Sequence, residues 1–371
     1  MNVSKPKYLQ VYDAIKYQIR NQTYQVGELL PAEAELCAVY KTSRPTIAKA
    51  LNLLSNEKIV HRKAGFGTQV LPPQISALKV GLLIPQLTQT EIFEPICSSI
   101  TECAHESGMH IVRPPELGRA VDFQKMAESL MNQFISMKVD GVFFTPVEYI
   151  QNHEDFNLRI IDRLGRAGIS VVLLDRDVYP WPRQTPYDLV GIDNIEAGFM
   201  VAGHLIGNGC RRIGFVSEAN PAMTVQLRQI GVREALIQNG FRARDLVNVS
   251  FDAADPKETV DALQQGDVDG VVCANDATAA RLLRVLVDHG IRIPSQMQVC
   301  GFDDVKYASL LTVPLTSYQQ PCGDIGKVAV NTMITRIQHP DRPAHRITLK
   351  GRLIPRNSSL HPDRVGAAVV L

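Results

Sequence analysis

From Lys79 onward the chain repeats one unit: a short, unbroken apolar run followed by a stretch of helical length. The runs fall at 80–84, 141–144, 171–174, 189–192, 213–216, 270–274 and 299–302. A strand with one wet face alternates apolar and polar residues, and these runs do not alternate. They predict strands covered on both faces, in parallel sheet with right-handed crossovers. The intervening segments, 94–107, 123–137, 156–168, 195–207, 225–239 and 277–288, supply the crossover helices. The expected body is a doubly wound α/β structure over residues 79–358, longer than one such sheet needs.

Residues 1–70 follow another pattern. Tyr8, Tyr12, Ile15 and Ile19 recur at helical spacing and set one face of a helix ending near Asn21. A second helix is expected over 32–40, with Leu36 and Val39 inward. A third follows Ser43, whose side chain suits an N-cap, and Pro45 fits its first turn. Ile47, Ala50, Leu51 and Leu54 form its buried stripe, which leaves Arg44, Thr46 and Lys49 near its exposed N-terminal end. Two short strands then join through Lys63, Gly65, Phe66 and Gly67, where glycine lets a hairpin tip approach a backbone closely. Residues 1–72 carry ten Lys/Arg against five acids, so this segment is +5 in a chain whose net charge is +1. A basic head on an acidic body directs attention to nucleic acid at the head, and two helices joined by a tight turn suit entry into a major groove.

The motifs Leu30-Pro-Ala-Glu-Ala-Glu-Leu-Cys37, Ser43-Arg-Pro-Thr-Ile-Ala-Lys-Ala-Leu51 and Arg62-Lys-Ala-Gly-Phe-Gly-Thr68 resemble the winged-helix domain of GntR-type transcription regulators. The resemblance implies a winged helix-turn-helix over 1–70 that binds double-stranded operator DNA through Ser43, Arg44, Thr46, Lys49 and the wing residues Lys63, Gly65, Phe66 and Gly67. Ala48 departs from the family's pattern, in which an arginine commonly follows the Thr-Val/Ile pair. Leu71-Pro72-Pro73 opens a linker over 71–78, since proline cannot continue a helix.

In open α/β sheets ligands sit beyond the carboxyl ends of the strands. There the body places the segment leading to Phe93, then Asp175-Arg176, Asn275-Asp276 and Asp303-Asp304, with Arg228 expected to open the helix after the 213–216 strand. Carboxylates, amides and a guanidinium beside an aromatic face match the donors and acceptors of a polyol. Each pair also fits a plainer role: Asn275-Asp276 and Asp303-Asp304 as helix caps, Asp175-Arg176 as a local ion pair. His105, His110 and His204 are expected on the surface.

Leu173-Leu-Asp-Arg176, Leu227-Arg-Gln-Ile-Gly-Val-Arg-Glu-Ala-Leu236, Cys273-Ala-Asn-Asp276, Val299-Cys-Gly-Phe-Asp-Asp304 and Leu315-Thr-Ser-Tyr-Gln-Gln320 look like the effector domain of LacI/GalR repressors and periplasmic sugar-binding proteins. That resemblance implies a two-lobed, periplasmic-binding-protein-like body with parallel sheets and three crossings. Lobe one is expected at about 79–188 and 321–347, lobe two at about 189–320 and 348–358, with a tail over 359–371. The effector residues it implies are Phe93, Asp175, Arg176, Arg228, Asn275, Asp303 and Gln320. Trp181 and the segment 177–188 match nothing in the family.

The two resemblances together imply a ligand-responsive repressor: a homodimer binding an inverted repeat and released by a sugar or sugar derivative. A purine-like co-repressor is the alternative, and a pyridoxal-phosphate enzyme-like body a more distant one. The body's few lysines lie outside any glycine- or serine-rich phosphate cup, and no Gly-x-Gly-x-x-Gly, Gly-x-Ser-x-Gly or Walker loop occurs. No catalysis, cofactor or metal is expected. Seven scattered cysteines without a Cys-x-x-Cys pair indicate neither a disulfide framework nor zinc. With no run of 18 apolar residues, the expectation is a cytoplasmic protein without membrane contact.

Overall fold

Helices and strands follow the changes in apolar period. The computed structural model describes residues 6–360 except 21–22, 64, 72–77, 86, 88–90, 113–121, 149, 220 and 253–254. Most of the expected linker and the last eleven residues of the expected tail lie outside the described residues. The chain divides into two compact units, Met1–Leu78 and Lys79–Leu371.

In the first unit α1 (Lys7–Arg20), α2 (Glu33–Tyr40) and α3 (Arg44–Asn56) precede a hairpin of β1 (Val60–Lys63) and β2 (Gly67–Val70). Val11 and Ile15 of α1 close over Leu36 and the Ile47, Ala50, Leu51 and Leu54 stripe of α3. Val11 supplies the centre of the α1 face, while Tyr12 and Ile19 pack on its rim. Val39 does not point inward; it is 67% exposed, and Cys37 packs against the core instead. The Tyr12 hydroxyl donates to Glu57 at 2.6 Å and Lys16 pairs with the same carboxylate, fixing α1 to the end of α3.

The second unit contains two six-stranded sheets. The first is built by β3 (Lys79–Leu83), α4 (Phe93–Glu106), β4 (His110–Val112), α5 (Phe123–Ser136), β5 (Gly141–Phe144), α6 (His153–Arg166), β6 (Ser170–Leu174) and β7 (Asp188–Ile192). The second follows with α7 (Asn194–Gly207), β8 (Ile213–Ser217), α8 (Met223–Gln238), β9 (Val247–Ser250), α9 (Pro256–Gln265), β10 (Gly270–Cys273), α10 (Asp276–Asp288), β11 (Gln298–Asp303) and β12 (Thr316–Gln319). The chain then returns through α11 (Cys322–Gln338) and β13 (Arg346–Leu349) to the first sheet and ends in β14 (Arg352–Ile354) of the second. The strand orders are β13-β7-β6-β5-β3-β4 and β14-β12-β11-β10-β8-β9, parallel throughout except that β14 runs antiparallel to β12. Each sheet has its own core, around Phe134, Phe144 and Ile160 in one lobe and Val216, Leu263 and Leu282 in the other.

Two expected boundaries move. The 189–192 run belongs to the first sheet, because Leu173 and Leu174 pair with Leu189 and Val190 and the buried Asp188 carboxylate is held by Arg336 of α11 and the His345 N–H. The first crossing is therefore at Asp193, whose carboxylate caps α7 by accepting from Ile195 N–H and Glu196 N–H. Ser359, expected in the tail, is buried and bonded to the Thr316 hydroxyl at 2.7 Å and to His204 Nε2 at 2.8 Å, so His204 is half-buried and not a surface residue. None of the seven cysteines is in a disulfide.

Candidate functional site

On the head, Ser43 stands at the N-cap position of α3, but its hydroxyl pairs with the Thr46 hydroxyl at 3.0 Å and caps no backbone donor. Arg44 and Lys49 are exposed, and the Lys49 ammonium lies 4.0 Å from the centre of the Tyr8 ring. At the hairpin tip Gly65 and Gly67 have φ of +77° and +113°, which a side chain strains to reach. They hold Phe66 in water, 56% exposed, with the Lys63 ammonium 5.8 Å from its ring. Arg62 is occupied by Glu33 and Asn52. The exposed α3 end and wing tip thus present cations, hydroxyls, bare backbone and one aromatic ring, the chemistry that contacts phosphates and base edges.

In the body the predicted residues gather on the facing ends of the two sheets. On the first lobe Arg176 bridges Asp175, at 2.9 Å, and Glu148, with its guanidinium 5.6 Å from the Phe93 ring. On the second, Arg228 donates to the Asn194 side-chain oxygen at 3.0 Å and the Ala274 carbonyl at 2.6 Å, faces Asp303 at 3.6 Å, and lies 4.5 Å over the Phe302 ring. Gln320, at the second crossing, donates to Asp303 at 2.8 Å. Phe93, Asp175, Arg176, Arg228 and Gln320 are all buried. Arg228 sits in the second turn of α8 rather than opening it. Asn275 does not join the cluster: its side-chain oxygen caps α10 by accepting from Thr278 N–H at 2.8 Å, the plainer of its two readings.

The cluster is held in strained backbone. Asp175, Asp303 and Asp304 have φ of +69°, +105° and +49°, each costing on the order of 1–3 kcal/mol unless its surroundings impose it. At the second turn the imposing groups are Asp276 and Ser317. Asp276 accepts from Val305 N–H at 3.1 Å and from the Ser317 hydroxyl at 2.7 Å, and that hydroxyl accepts from Asp304 N–H. Burial, with Asp303 nearby, holds the Asp276 carboxyl well above its ordinary pKa. Burial also raises Asp303, and the Arg228 guanidinium pulls against that rise. Asp304 turns away to pair with Arg356 at 2.7 Å.

Glu148 was missed in the sequence. It accepts from Arg176 on its own lobe and from the Met223 N–H of α8 on the other, at 2.9 Å, so it joins the two lobes. Asn157 fixes the preceding backbone by exchanging two 2.8 Å bonds with Val147. The signal for Glu148 was its place, four residues past the end of β5. Two cavities flank the cluster: one of about 220 Å³ reaches Asp175 and Arg176, and one of about 950 Å³ reaches Asp303 and Gln320. Among the described residues no group of three or more His, Cys, Asp or Glu is placed to hold a metal, and no helix is long and apolar enough to cross a membrane.

Residues 7–70 match the family of bacterial regulatory proteins, gntR family, and residues 202–359 match the periplasmic binding protein-like domain. An arabinose metabolism transcriptional repressor of Geobacillus stearothermophilus is 24% identical over 368 residues, 95% of this chain and 98% of the relative. A repressor of the same description from Halalkalibacterium halodurans is 26% identical over 372 residues, 94% of this chain and 96% of the relative. The solved complex of the transcriptional regulator CelR with cellobiose shares the fold at a TM-score of 0.63 and 23% identity, covering 89% of this chain and all of that one. The winged hairpin and the two parallel sheets agree with these matches: the head is similar to the winged-helix domain of gntR-family regulators, and the body has the periplasmic-binding-protein-like fold.

Proposed function

We propose that this chain is a ligand-responsive transcriptional repressor that binds an inverted-repeat operator as a homodimer in the cytoplasm and is released by a neutral sugar. It catalyses no reaction in this reading. Ser43, Arg44, Thr46 and Lys49 enter the major groove, and Lys63, Gly65, Phe66 and Gly67 of the wing follow the adjoining backbone. Phe93, Asp175, Arg176, Arg228, Asp303 and Gln320 hold the effector between the lobes, with Asn275 at the edge.

The observation that carries the reading is the charge balance of the buried cluster. Two arginines face three carboxylates, Asp175, Glu148 and Asp303, and burial drives Asp303 toward its neutral form. Within the buried cluster, among the described residues, each arginine is matched by a carboxylate, whereas hydroxyls can exchange with these bonds in kind.

Effector and operator must act on each other equally, because linkage is reciprocal. A coupling of about 1 to 3 kcal/mol changes either affinity by about 5- to 150-fold. Titrating arabinose, ribose, glucose and their neutral relatives by calorimetry, with and without operator DNA, should show the sugar that binds doing so more weakly on the operator complex. A sugar bound equally tightly in both states, or a purine bound where no sugar binds, would overturn the proposed release by sugar.

At the head, Arg44→Ala should cost about 1 to 3 kcal/mol of operator affinity and relax one base position, as expected of a residue reading a base edge. Lys49→Ala should weaken all sequences alike and lower the salt slope by about one. Unchanged operator binding in both variants would remove α3 from the groove.

A further inference from the structure

The segment between β6 and β7 is long for a strand connection, and it is built. The Asp177 carboxylate accepts from the N–H groups of Val178, Tyr179 and Thr185 and from the Thr185 hydroxyl, and pairs with Arg346 of β13 at 2.8 Å. Arg183 stacks on the Tyr179 ring at 4.0 Å and pairs with Glu154 of α6 at 3.2 Å. This scaffold displays Trp181, the chain's one tryptophan, which is 52% exposed. What sets Trp181 apart from other exposed apolar side chains is its place, on the rim of a cavity shared by both lobes.

Trp181 lines the 220 Å³ cavity together with Met223 and Leu227 of the other lobe, while Gln184 and Thr348 bring polar groups to its wall. The cavity is smaller than the roughly 300–1,000 Å³ of a site for a whole drug-sized ligand. It therefore suits a single ring. Asp175 and Arg176 belong both to this cavity and to the buried cluster, so a group here lies next to whatever the cluster holds. The rings of an aromatic platform offer an apolar face, and the polar wall groups offer partners to hydroxyls at a ring edge.

We propose that the cavity beside Trp181 is a second subsite, which takes the next glycosyl ring of an effector longer than a monosaccharide. The inference rests on the reading of the body as a sugar sensor and adds the length of the ligand. The cluster recognises the first ring through hydroxyls, and Trp181 stacks on the second.

The test uses the full chain and matched sugars: arabinose with arabinobiose, glucose with cellobiose, galactose with lactose. In the pair that binds, the disaccharide should bind about tenfold more tightly than the monosaccharide, the scale of one aromatic contact. Because Trp181 is the sole tryptophan, its emission should change with the disaccharide and stay unchanged with the monosaccharide. Trp181→Ala, read by calorimetry, should remove the tenfold advantage and leave monosaccharide binding as it was; Trp181→Phe should restore most of it. Equal affinity within the pair, or a Trp181→Ala variant that weakens both sugars alike, overturns the subsite while the sugar sensor stands. Binding of none of the sugars overturns both. A Trp181→Ala variant that keeps the disaccharide advantage but changes the sedimentation of the protein assigns the ring to a protein contact and also overturns the subsite.

Discussion

Arg228→Ala is expected to destabilise the body by about 3 to 5 kcal/mol, the cost of leaving a buried charge without its partner. The guanidinium of Arg228 satisfies Asn194 and the Ala274 carbonyl as well as facing Asp303, and truncation takes a partner from all three at once. Asp303 keeps the Gln320 amide and the more distant Arg176 but loses Arg228, the strongest of the groups that oppose the upward drift of its pKa, so it should take up a proton more readily. Removing both charges, in Arg228→Ala with Asp303→Ala, should cost less than the sum of the single changes. Urea unfolding followed by Trp181 emission isolates the body, since the head has no tryptophan. The separate compact units make a single two-state transition for the whole chain an unsafe assumption. A loss below about 1 kcal/mol would mean that water reaches the guanidinium, as it would in a cleft open at rest. Effector affinity should fall in the same variant, while operator binding without effector should barely change.

That expectation needed the structure, although its residues were visible in the sequence. Unbroken apolar runs gave parallel strands because a doubly covered strand has no wet face to alternate with. The ligand rule for open sheets then led to Asp175, Arg176 and Asp303, because it concerns topology and not side-chain type, while Gln320 came only from the resemblance. The same rule points to Glu148 past β5, but that stretch, Thr145-Pro-Val-Glu148, carries no paired charge to draw notice. The lobe of the 189–192 run was illegible for a physical reason: an apolar strand reads identically in either sheet, and only its register with Leu173 and Leu174 decides. The Val39 and Cys37 exchange reflects a helix of eight residues, too short for its apolar period to average out one misplaced side chain. Short strands with mixed burial, β4, β9, β13 and β14, left no run to see. Asn275 was open to both readings in the sequence because a cap and a ligand donor are the same chemistry at the same place, the N-terminus of a helix at a strand end.

Gly198→Ala is expected to lose about 3 kcal/mol, although alanine is the better helix former by about 1 kcal/mol. The helices α7 and α8 cross with backbone against backbone. A Cβ at Gly198 would stand 2.0 Å from the Arg228 carbonyl oxygen and 2.9 Å from its Cα, and one at Gly231 would stand 2.0 Å from the Ile195 carbonyl oxygen. No rotamer change relieves a clash between main chains, so the helices must separate, which places the cost at the upper end of that for overpacking. Gly203 and Gly207 lie on the same helix with open space where a Cβ would go, so alanine at either should stabilise by up to about 1 kcal/mol. The contrast separates the crossing from helix propensity. It also reaches the site, because the backbone that Gly198 touches is that of Arg228, and Asn194, which holds the guanidinium, begins the helix that carries Gly198. Spreading the crossing moves Arg228 relative to Asp303, so effector affinity should fall together with stability in Gly198→Ala and be retained in Gly203→Ala. A Gly198→Ala body as stable as its parent, with unchanged effector affinity, would show that the two helices can part without moving Arg228, and the crossing would then have no part in setting the site.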